Sequence, residues 1–327
     1  MLISLIVPFF NLEAYARETL RSVVAARQAL GSRSSEIEVV CVDDGSTDGT
    51  GRILDEMSEE FGFLVVHKPN GGEGSARNAG IAASTGDYLL FLDGDDILLE
   101  NALVVSTELI REDPGAGVIA MRYATFADGG AVPAPAASGE VQRYDLRQEI
   151  PSELICRQGV TPTLFRRETL GGLRFSDLPL GADREFVMAV LSKAESLVSS
   201  DAVVEGYRLR GGSMARAAWT PVKIRSLNDH ACRGLAALAG CGRRVGRAGA
   251  GYLASLVVSE TPARIARLKS DDDVPGLWRH WIESVASLPA DMLPISVRLV
   301  RRLILSVGRS RGLSIGVARL CRVSGLA

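Results

Sequence analysis

Apolar positions in the first part of the chain alternate between two patterns. Residues 3–7, 36–42, 63–67, 88–92 and 117–123 are short runs rich in Val, Ile and Leu, the signature of strands covered on both faces. Residues 12–29, 51–61 and 101–111 instead repeat apolar side chains at helical spacing, as Leu20, Val23, Val24 and Leu30 do, and a further helix starts at Ser75. The alternation predicts an α/β fold: a doubly wound, mostly parallel sheet with helices on both faces. Past Trp219 the pattern turns helical, Ala-, Leu- and Arg-rich, with Pro262, Pro275, Pro289 and Pro294 dividing it into several helices. The boundary is placed near 215, giving a sheet domain 1–215 and a C-terminal α-helical region 216–327.

Two of the expected strands end in acids. Asp93, Asp95 and Asp96 follow the run 88–92, and Asp43 and Asp44 follow 36–42. In open α/β sheets the carboxyl ends of the strands face the ligand crevice, so these side chains are placed to meet a ligand. Carboxylates so close repel one another, and an oxygen-only donor set favours a hard cation, Mg2+ or Mn2+, completed by phosphates and water. The competing expectation is a solvated acidic turn. Asp48 or Thr47 is expected to cap the next helix.

Asn70-Gly71-Gly72-Glu73-Gly74 opens a helix, as phosphate loops do, but Arg77 stands where the dinucleotide fingerprint needs a small residue. A guanidinium there suits a diphosphate by bidentate hydrogen bonding; a surface ion pair is the alternative.

At 327 residues and 46% hydrophobic content the chain supports one large and one smaller core, and a formal charge of -2 argues against a general nucleic-acid binder. Cys41, Cys156, Cys232, Cys241 and Cys321 are odd in number, lack a C-x-x-C pair and read as reduced thiols. His67, His230 and His280 stand apart, without the companions a zinc site needs. The start, MLISLIVPFFN, lacks a signal peptide's basic region, and no apolar run reaches the ~18 residues of a membrane span. The expected location is the cytoplasm, with the inner face of the membrane as a second station.

Four motifs then carry a resemblance: Pro8-Phe9-Phe10-Asn11, Val42-Asp43-Asp44-Gly45-Ser46-Thr47-Asp48, Asn70-Gly71-Gly72 with Ala76-Arg77-Asn78 and Gly80, and Asp93-Gly94-Asp95-Asp96. In this order they resemble the family 2 glycosyltransferases of GT-A fold over roughly residues 1–215, with the donor side in about 1–100 and the acceptor side in about 101–215. The resemblance implies a nucleotide-sugar donor held by Pro8, Phe10, Asn11, Glu13, Asp43, Asp44, Asn70, Arg77, Asp93, Gly94 and Asp95. It implies that Asp43 or Asp44 holds base and ribose, and that Asp93 and Asp95 hold the ribose and a divalent cation, Mn2+ or Mg2+, bridging the diphosphate. Residues 161–166 resemble a segment near the acceptor, and the loop 128–139 is expected over that side. Where the family commonly has Gly-Glu-Asp, this chain has Gly181-Ala182-Asp183. Asp183 is therefore the matching catalytic base, with Glu185 as competitor and a helix N-cap as Asp183's other role. Residues 207–214 resemble the stretch in which a basic residue and a serine approach the diphosphate.

The implied activity is metal-dependent, inverting transfer of a sugar, from a UDP-sugar by preference, to an acceptor hydroxyl on a saccharide or lipid-linked acceptor in cell-surface polysaccharide or glycolipid synthesis. A non-catalytic nucleotide-sugar scaffold is the first alternative, kept alive by Ala182. A phosphatase of the haloacid dehalogenase type is the second, although its Asp-x-Asp would open the fold instead of following a long α/β stretch. Residues 295–309 form an expected amphipathic helix, with Arg298, Arg301, Arg302 and Arg309 opposite Leu299, Val300, Leu303, Ile304 and Val307. It suits peripheral membrane contact through 292–327, or packing and homo-oligomerisation through the C-terminal helices.

Overall fold

A computed structural model describes residues 1–136, 139–156, 159–211, 218–265, 267–268, 273–294, 297–298, 301–302 and 304–305. The chain divides into two compact units: Met1–Leu146, Gly159–Asp177 and Lys193–Ser213 in one, and Arg147–Gln158, Leu178–Ser192 and Met214–Ala327 in the other.

The strands in chain order are β1 (Ile3–Phe9), β2 (Ile37–Asp43), β3 (Leu64–His67), β4 (Tyr88–Phe91), β5 (Ile97–Leu98), β6 (Val118–Ala127), β7 (Val141–Asp145), β8 (Glu149–Ile150), β9 (Thr163–Arg166), β10 (Ser196–Leu209) and β11 (Arg244–Val245). The first unit is built on a nine-stranded sheet ordered β3-β2-β1-β4-β9-β6-β10-β5, with β7 also on β10. From β3 to β4 it is parallel, as the strand–helix alternation requires. Helices α1 (Glu13–Ala29), α2 (Thr50–Phe61), α3 (Glu73–Ala83) and α4 (Ala102–Glu112) supply the crossovers. On α1 the buried side chains Ala16, Leu20, Val23 and Ala26 form one stripe and share a core with Leu5 and Val7 of β1 and Leu90 of β4.

The sequence pattern does not reveal β10, the longest strand. Its run is broken by Ser199, Ser200 and Asp201, and the register to β6 shifts between Ser199 and Val203. A bulge of this kind removes the period on which a strand is recognised. β9 enters antiparallel between β4 and β6, so the sheet is parallel on one side and mixed on the other.

The second unit contains α5 (Ser152–Cys156) and, after the short α6 (Arg167–Leu170) of the first unit, α7 (Ala182–Leu191), α8 (Pro221–Gly240), α9 (Arg247–Ser255), a π-turn at Leu256–Glu260, α10 (Thr261–Ile265) and α11 (Val274–Ser287). β8 and β11 pair in parallel beside them. Thr220 caps α8 by accepting from the Lys223 amide, with Pro221 at the first helical position. Trp281 is fully buried, and its Nε1 donates to the Val257 carbonyl at 2.7 Å.

Most of the amphipathic stretch 295–309 lies outside the described residues. Arg301, expected on an open basic face, instead donates to the carbonyls of Val285 and Ala286 at 3.0 and 2.6 Å, at the C-terminal end of α11. Ile304 is buried. These two residues behave as packing residues. Among the described residues no helix is long and apolar enough to cross a membrane.

Candidate functional site

The donor-side motifs meet around the carboxyl end of β1. Its last residue, Phe9, pairs with Asp43 of β2, and the Asp44 amide donates to the Phe9 carbonyl at 2.9 Å. On the other flank the Leu92 amide continues the β4 ladder by donating to Ile6. Gly94 then passes so close to β1 that a Cβ there would lie 2.5 Å from the Pro8 carbonyl oxygen, so only glycine lets the acidic loop cross at this point. Pro8 is buried in the strand, while Phe10 leaves it 46% exposed.

Asn11 and Glu13 organise the neighbouring loop. Asn11, at φ 51, accepts the Thr47 amide on Oδ1 at 2.8 Å, and Glu13 accepts the Gly49 amide at 3.0 Å. Asp48 accepts from the Thr50 amide on one oxygen and the Glu13 amide on the other, so it ties the starts of α1 and α2 together. The formal N-cap of α2 is Gly49, one residue beyond the expected Asp48.

Asp43 and Asp44 separate into two roles. Asp44 accepts from the amides of Gly71 and Gly72 at 3.0 and 2.8 Å and from the Lys68 ammonium, which fixes the glycine loop beside exposed Asn70. Asp43 accepts the Ser46 amide on Oδ1 and faces His67 with Oδ2. Burial would raise its pKa, but the bonds from Ser46 and His67 outweigh that and hold it below the ordinary carboxylate value.

The second cluster joins the loop after β4 to the end of β10. Arg77, with no exposed surface, reaches Asp93 from α3 with Nη2 at 2.6 Å from Oδ1, and its guanidinium lies over the Phe175 ring. Arg77 also pairs with half-exposed Glu73 one turn earlier on α3, so the ion pair considered for it does form, but from a buried guanidinium that also supports Asp93. Arg208 donates from its amide to Asp96 at 2.7 Å and from Nε to the Asp95 carbonyl at 2.7 Å. Its guanidinium is held between the rings of Tyr15 and Phe126. Arg210 donates from Nε to the Asp95 carboxylate.

Asp96 is buried, and burial followed by the charge of Asp93 pushes its pKa up to about 8. Glu205 on β10 is raised well above the ordinary value by complete burial and then by Asp96 and Asp93. Among the described residues neither Asp96 Oδ2 nor Glu205 Oε2 has a hydrogen-bond partner. The expectation of a solvated acidic turn fails for Asp96, which faces the interior. Sequence reading noticed Arg208 and Arg210 only as part of a stretch and missed Glu205, because β10 itself was not visible.

The donor set suits a hard cation. Asp93 and Asp95 each give one oxygen to an arginine, and a carboxylate offers about four acceptor positions in all. Among the described residues no group of three or more His, Cys, Asp or Glu side chains is arranged around a common point. Two carboxylates with the rest of the shell left to phosphates and water is the arrangement Mg2+ and Mn2+ accept.

In the second unit, α7 starts at Ala182, so Asp183 stands in the first turn and the N-cap is Gly181 at φ 85. Asp183 is thus not the cap. Its carboxylate lies at the end of the helix where the aligned peptide dipoles favour negative charge. Glu185 faces Arg233 of α8 at 3.6 Å. Beneath Gly181 lies the His230 ring, which a Cβ at 181 would strike at 2.1 Å. Burial and the adjacent Arg184 lower His230 to about 4, so the ring is neutral.

Residues 4–171, just over half of the chain, match the profile of glycosyl transferase family 2. Glycosyltransferase GlyA of Streptococcus pneumoniae is 27% identical over 73% of this chain and 35% of its own length. The minor teichoic acid biosynthesis protein GgaB of Bacillus subtilis is 26% identical over 63% of this chain and 23% of its own. The chain therefore spans about a third of the first of these relatives and a quarter of the second. In fold it is similar to S. aureus TarS 1–349 in complex with UDP-GlcNAc, with a TM-score of 0.74 at 20% identity over 99% of this chain and 92% of that one. The mannosyltransferase PcManGT from Pyrobaculum calidifontis, in complex with GDP-Man and Mn2+, gives a TM-score of 0.52 at 15% identity over 98% of this chain and 86% of that one. The fold is that of the GT-A enzymes. Asp43, Asp44, Asp93, Asp95 and Asp96 fall inside the matched span, and the chain belongs to glycosyl transferase family 2.

Proposed function

We propose that the chain is an inverting glycosyltransferase that moves a sugar from a nucleotide-diphosphate sugar, a UDP-sugar by preference, to an acceptor hydroxyl. The observation that carries this reading is the placement of Asp43 at the end of the strand on one flank of β1, and of Asp93 and Asp95 just past the strand on the other, within one unit. An ionised carboxylate accepts N–H groups from a base, and the acidic pair on the far flank suits ribose hydroxyls and a diphosphate-bound cation. Asp93 and Asp95 are the residues that would hold Mn2+ or Mg2+; the ion's chemistry when bound is to neutralise charge on the departing diphosphate. Arg210, beside Asp95, supplies a second positive charge on the same side.

In this reading Asp183 takes the proton of the acceptor hydroxyl as that oxygen bonds to the anomeric carbon, and the bond from that carbon to the diphosphate breaks with its electron pair leaving on the nucleotide. The names of GgaB and of the TarS complex support a cell-surface polysaccharide as acceptor and UDP-GlcNAc as first donor to try. Peripheral attachment to the inner membrane face would keep the enzyme near such an acceptor, and self-association is the other role proposed for the C-terminal helices. The test is turnover of a panel of UDP- and GDP-sugars, read as released nucleotide with and without Mn2+. Binding of a UDP-sugar without turnover on any acceptor would favour a nucleotide-sugar scaffold instead.

A further inference from the structure

We propose that His67 is a positioning residue of the nucleotide site: its imidazole, clamped between Asp43 and Asp55, turns Asp43 to accept a ring N–H from the donor's base, as uracil or guanine offers. The inference rests on the reading of this unit as a nucleotide-sugar site.

Nδ1 of His67 lies 3.0 Å from Asp43 Oδ2 and Nε2 lies 2.9 Å from Asp55 Oδ1. Both partners are acceptor-only groups, so a ring that serves both must donate from both nitrogens, which only the imidazolium does. The fit is close. At Gly51, near the start of α2, a Cβ would sit 3.0 Å from Asp43 Oδ2 and 3.6 Å from the ring's Cε1, so a larger residue would press on the pair.

Asp43 from β2 and Asp55 from α2 are the charged groups that face the ring. The adjacent Lys68 turns to Asp44, and on α3 Glu73 and Arg77 pair with each other. The bonds to Asp43 and then Asp55 raise the His67 pKa above its ordinary 6.5. Asp55 is well exposed and never needs to touch a nucleotide; its effect passes through the ring.

An Asp43 kept ionised presents lone pairs alone and selects a base edge that donates. A protonated or swung carboxyl would not. The sign follows from the raised His67 value: the two-handed grip is complete below about 6.5 and is lost as pH rises through the folded-state pKa, when the ring keeps a single N–H.

The experiment is calorimetric titration of UMP in EDTA from pH 5.5 to 8.5 on the full chain, for wild type, His67→Gln, His67→Ala and Asp55→Asn. UMP lacks the diphosphate that calls for a cation, and its phosphate ionises alike in all four. Wild-type affinity is expected to fall by several-fold across the His67 titration beyond any fall in His67→Gln, with Asp55→Asn moving that midpoint to lower pH. His67→Ala is expected to bind about 10-fold more weakly at pH 6, the loss of a hydrogen bond to a charged group. Equal affinity in His67→Ala, or an unmoved midpoint in Asp55→Asn, overturns the proposal. Should His67→Ala not fold, the Asp55→Asn midpoint decides. If wild type binds no UMP, the nucleotide reading fails with the base-reading role, and NMR titration of the ring in wild type, Asp43→Asn and Asp55→Asn then separately reports whether the clamp exists.

Discussion

Arg77 Nη2 sits 2.6 Å from Asp93 Oδ1 although the arginine has no solvent-exposed surface, so a charge sealed inside the sheet unit orients an acid that is still 27% exposed. Breaking a buried pair from one side leaves the other charge without compensation. Arg77→Met is expected to destabilise the protein by about 3 kcal/mol, the lower end for such a loss because Asp93 stays partly hydrated. Urea unfolding gives the stability change, and donor titration on the folded fraction should show weakened binding as Asp93 is released. Unaltered donor affinity would mean that Asp93 needs no support.

Asp95→Asn removes a charge at the proposed cation and diphosphate site, while Arg210 can still hydrogen bond to the amide oxygen. The fold should persist, with a circular dichroism spectrum like that of wild type. Donor turnover should fall by about 10²-fold or more, as expected when several kcal/mol of charge stabilisation are lost. Removing divalent ions with EDTA should weaken UDP binding in wild type and make little further difference in the variant. Normal turnover by Asp95→Asn would end the cation assignment.

If Asp183 is the base, Asp183→Asn lowers kcat by ~10²–10⁴-fold while leaving the dissociation constant for UDP near the wild-type value. Glu185→Gln is the control, since Glu185 is the nearest competing carboxylate in the same first turn and faces Arg233. A parallel fall of turnover and donor affinity in Asp183→Asn would assign the residue a structural part, and a larger loss in Glu185→Gln would exchange the two roles.

Glu205 gives the stability of the sheet unit a pH dependence of unusual sign for an acid. Complete burial raises its folded-state pKa, so the folded protein binds this proton more tightly than the unfolded chain. Its contribution is complete below the unfolded value of about 4.5 and declines as pH rises toward the folded-state pKa. Asp96, at about 8, acts in the same direction. Glu205→Gln mimics the protonated acid and can still accept from Thr161, whose hydroxyl lies 3.1 Å from Oε1. Its melting temperature should exceed that of wild type at pH 8 and converge with it near pH 5. Identical melting curves at pH 8 would show that burial does not raise the Glu205 pKa.

The parallel half of the sheet was legible in the sequence because each strand there is an unbroken apolar run answered by a helix of period 3.6, and acids at two strand ends marked the crevice. Asp93, Asp95 and Asp43 could be found that way because charge after a buried run has few explanations. Glu205 could not, and Arg208 was marked only as part of a stretch: they lie on a strand whose bulge at Ser199–Val203 erases its period, and they act on residues more than a hundred positions earlier, Asp95 and Asp96 for Arg208 and Asp93 and Asp96 for Glu205. The division of labour between Asp43 and Asp44 was equally hidden, since it depends on which carboxylate the Gly71 and Gly72 amides reach.

The interleaving of the two units along the chain bears on how the protein is made. The backbone passes from one unit to the other five times, after residues 146, 158, 177, 192 and 213. A nascent chain leaving the ribosome therefore cannot finish either unit before the other has begun. β10, which carries Arg208, is delivered only after α7, and α7 must wait for α8, the helix it packs against, until after β10 has been synthesised. Modular shuffling by cutting at a single point has no seam to use here: a chain ended near 215 would retain 147–158 and 178–192 and present the apolar face of α7, Phe186, Val187, Met188, Val190 and Leu191, without its partner helix.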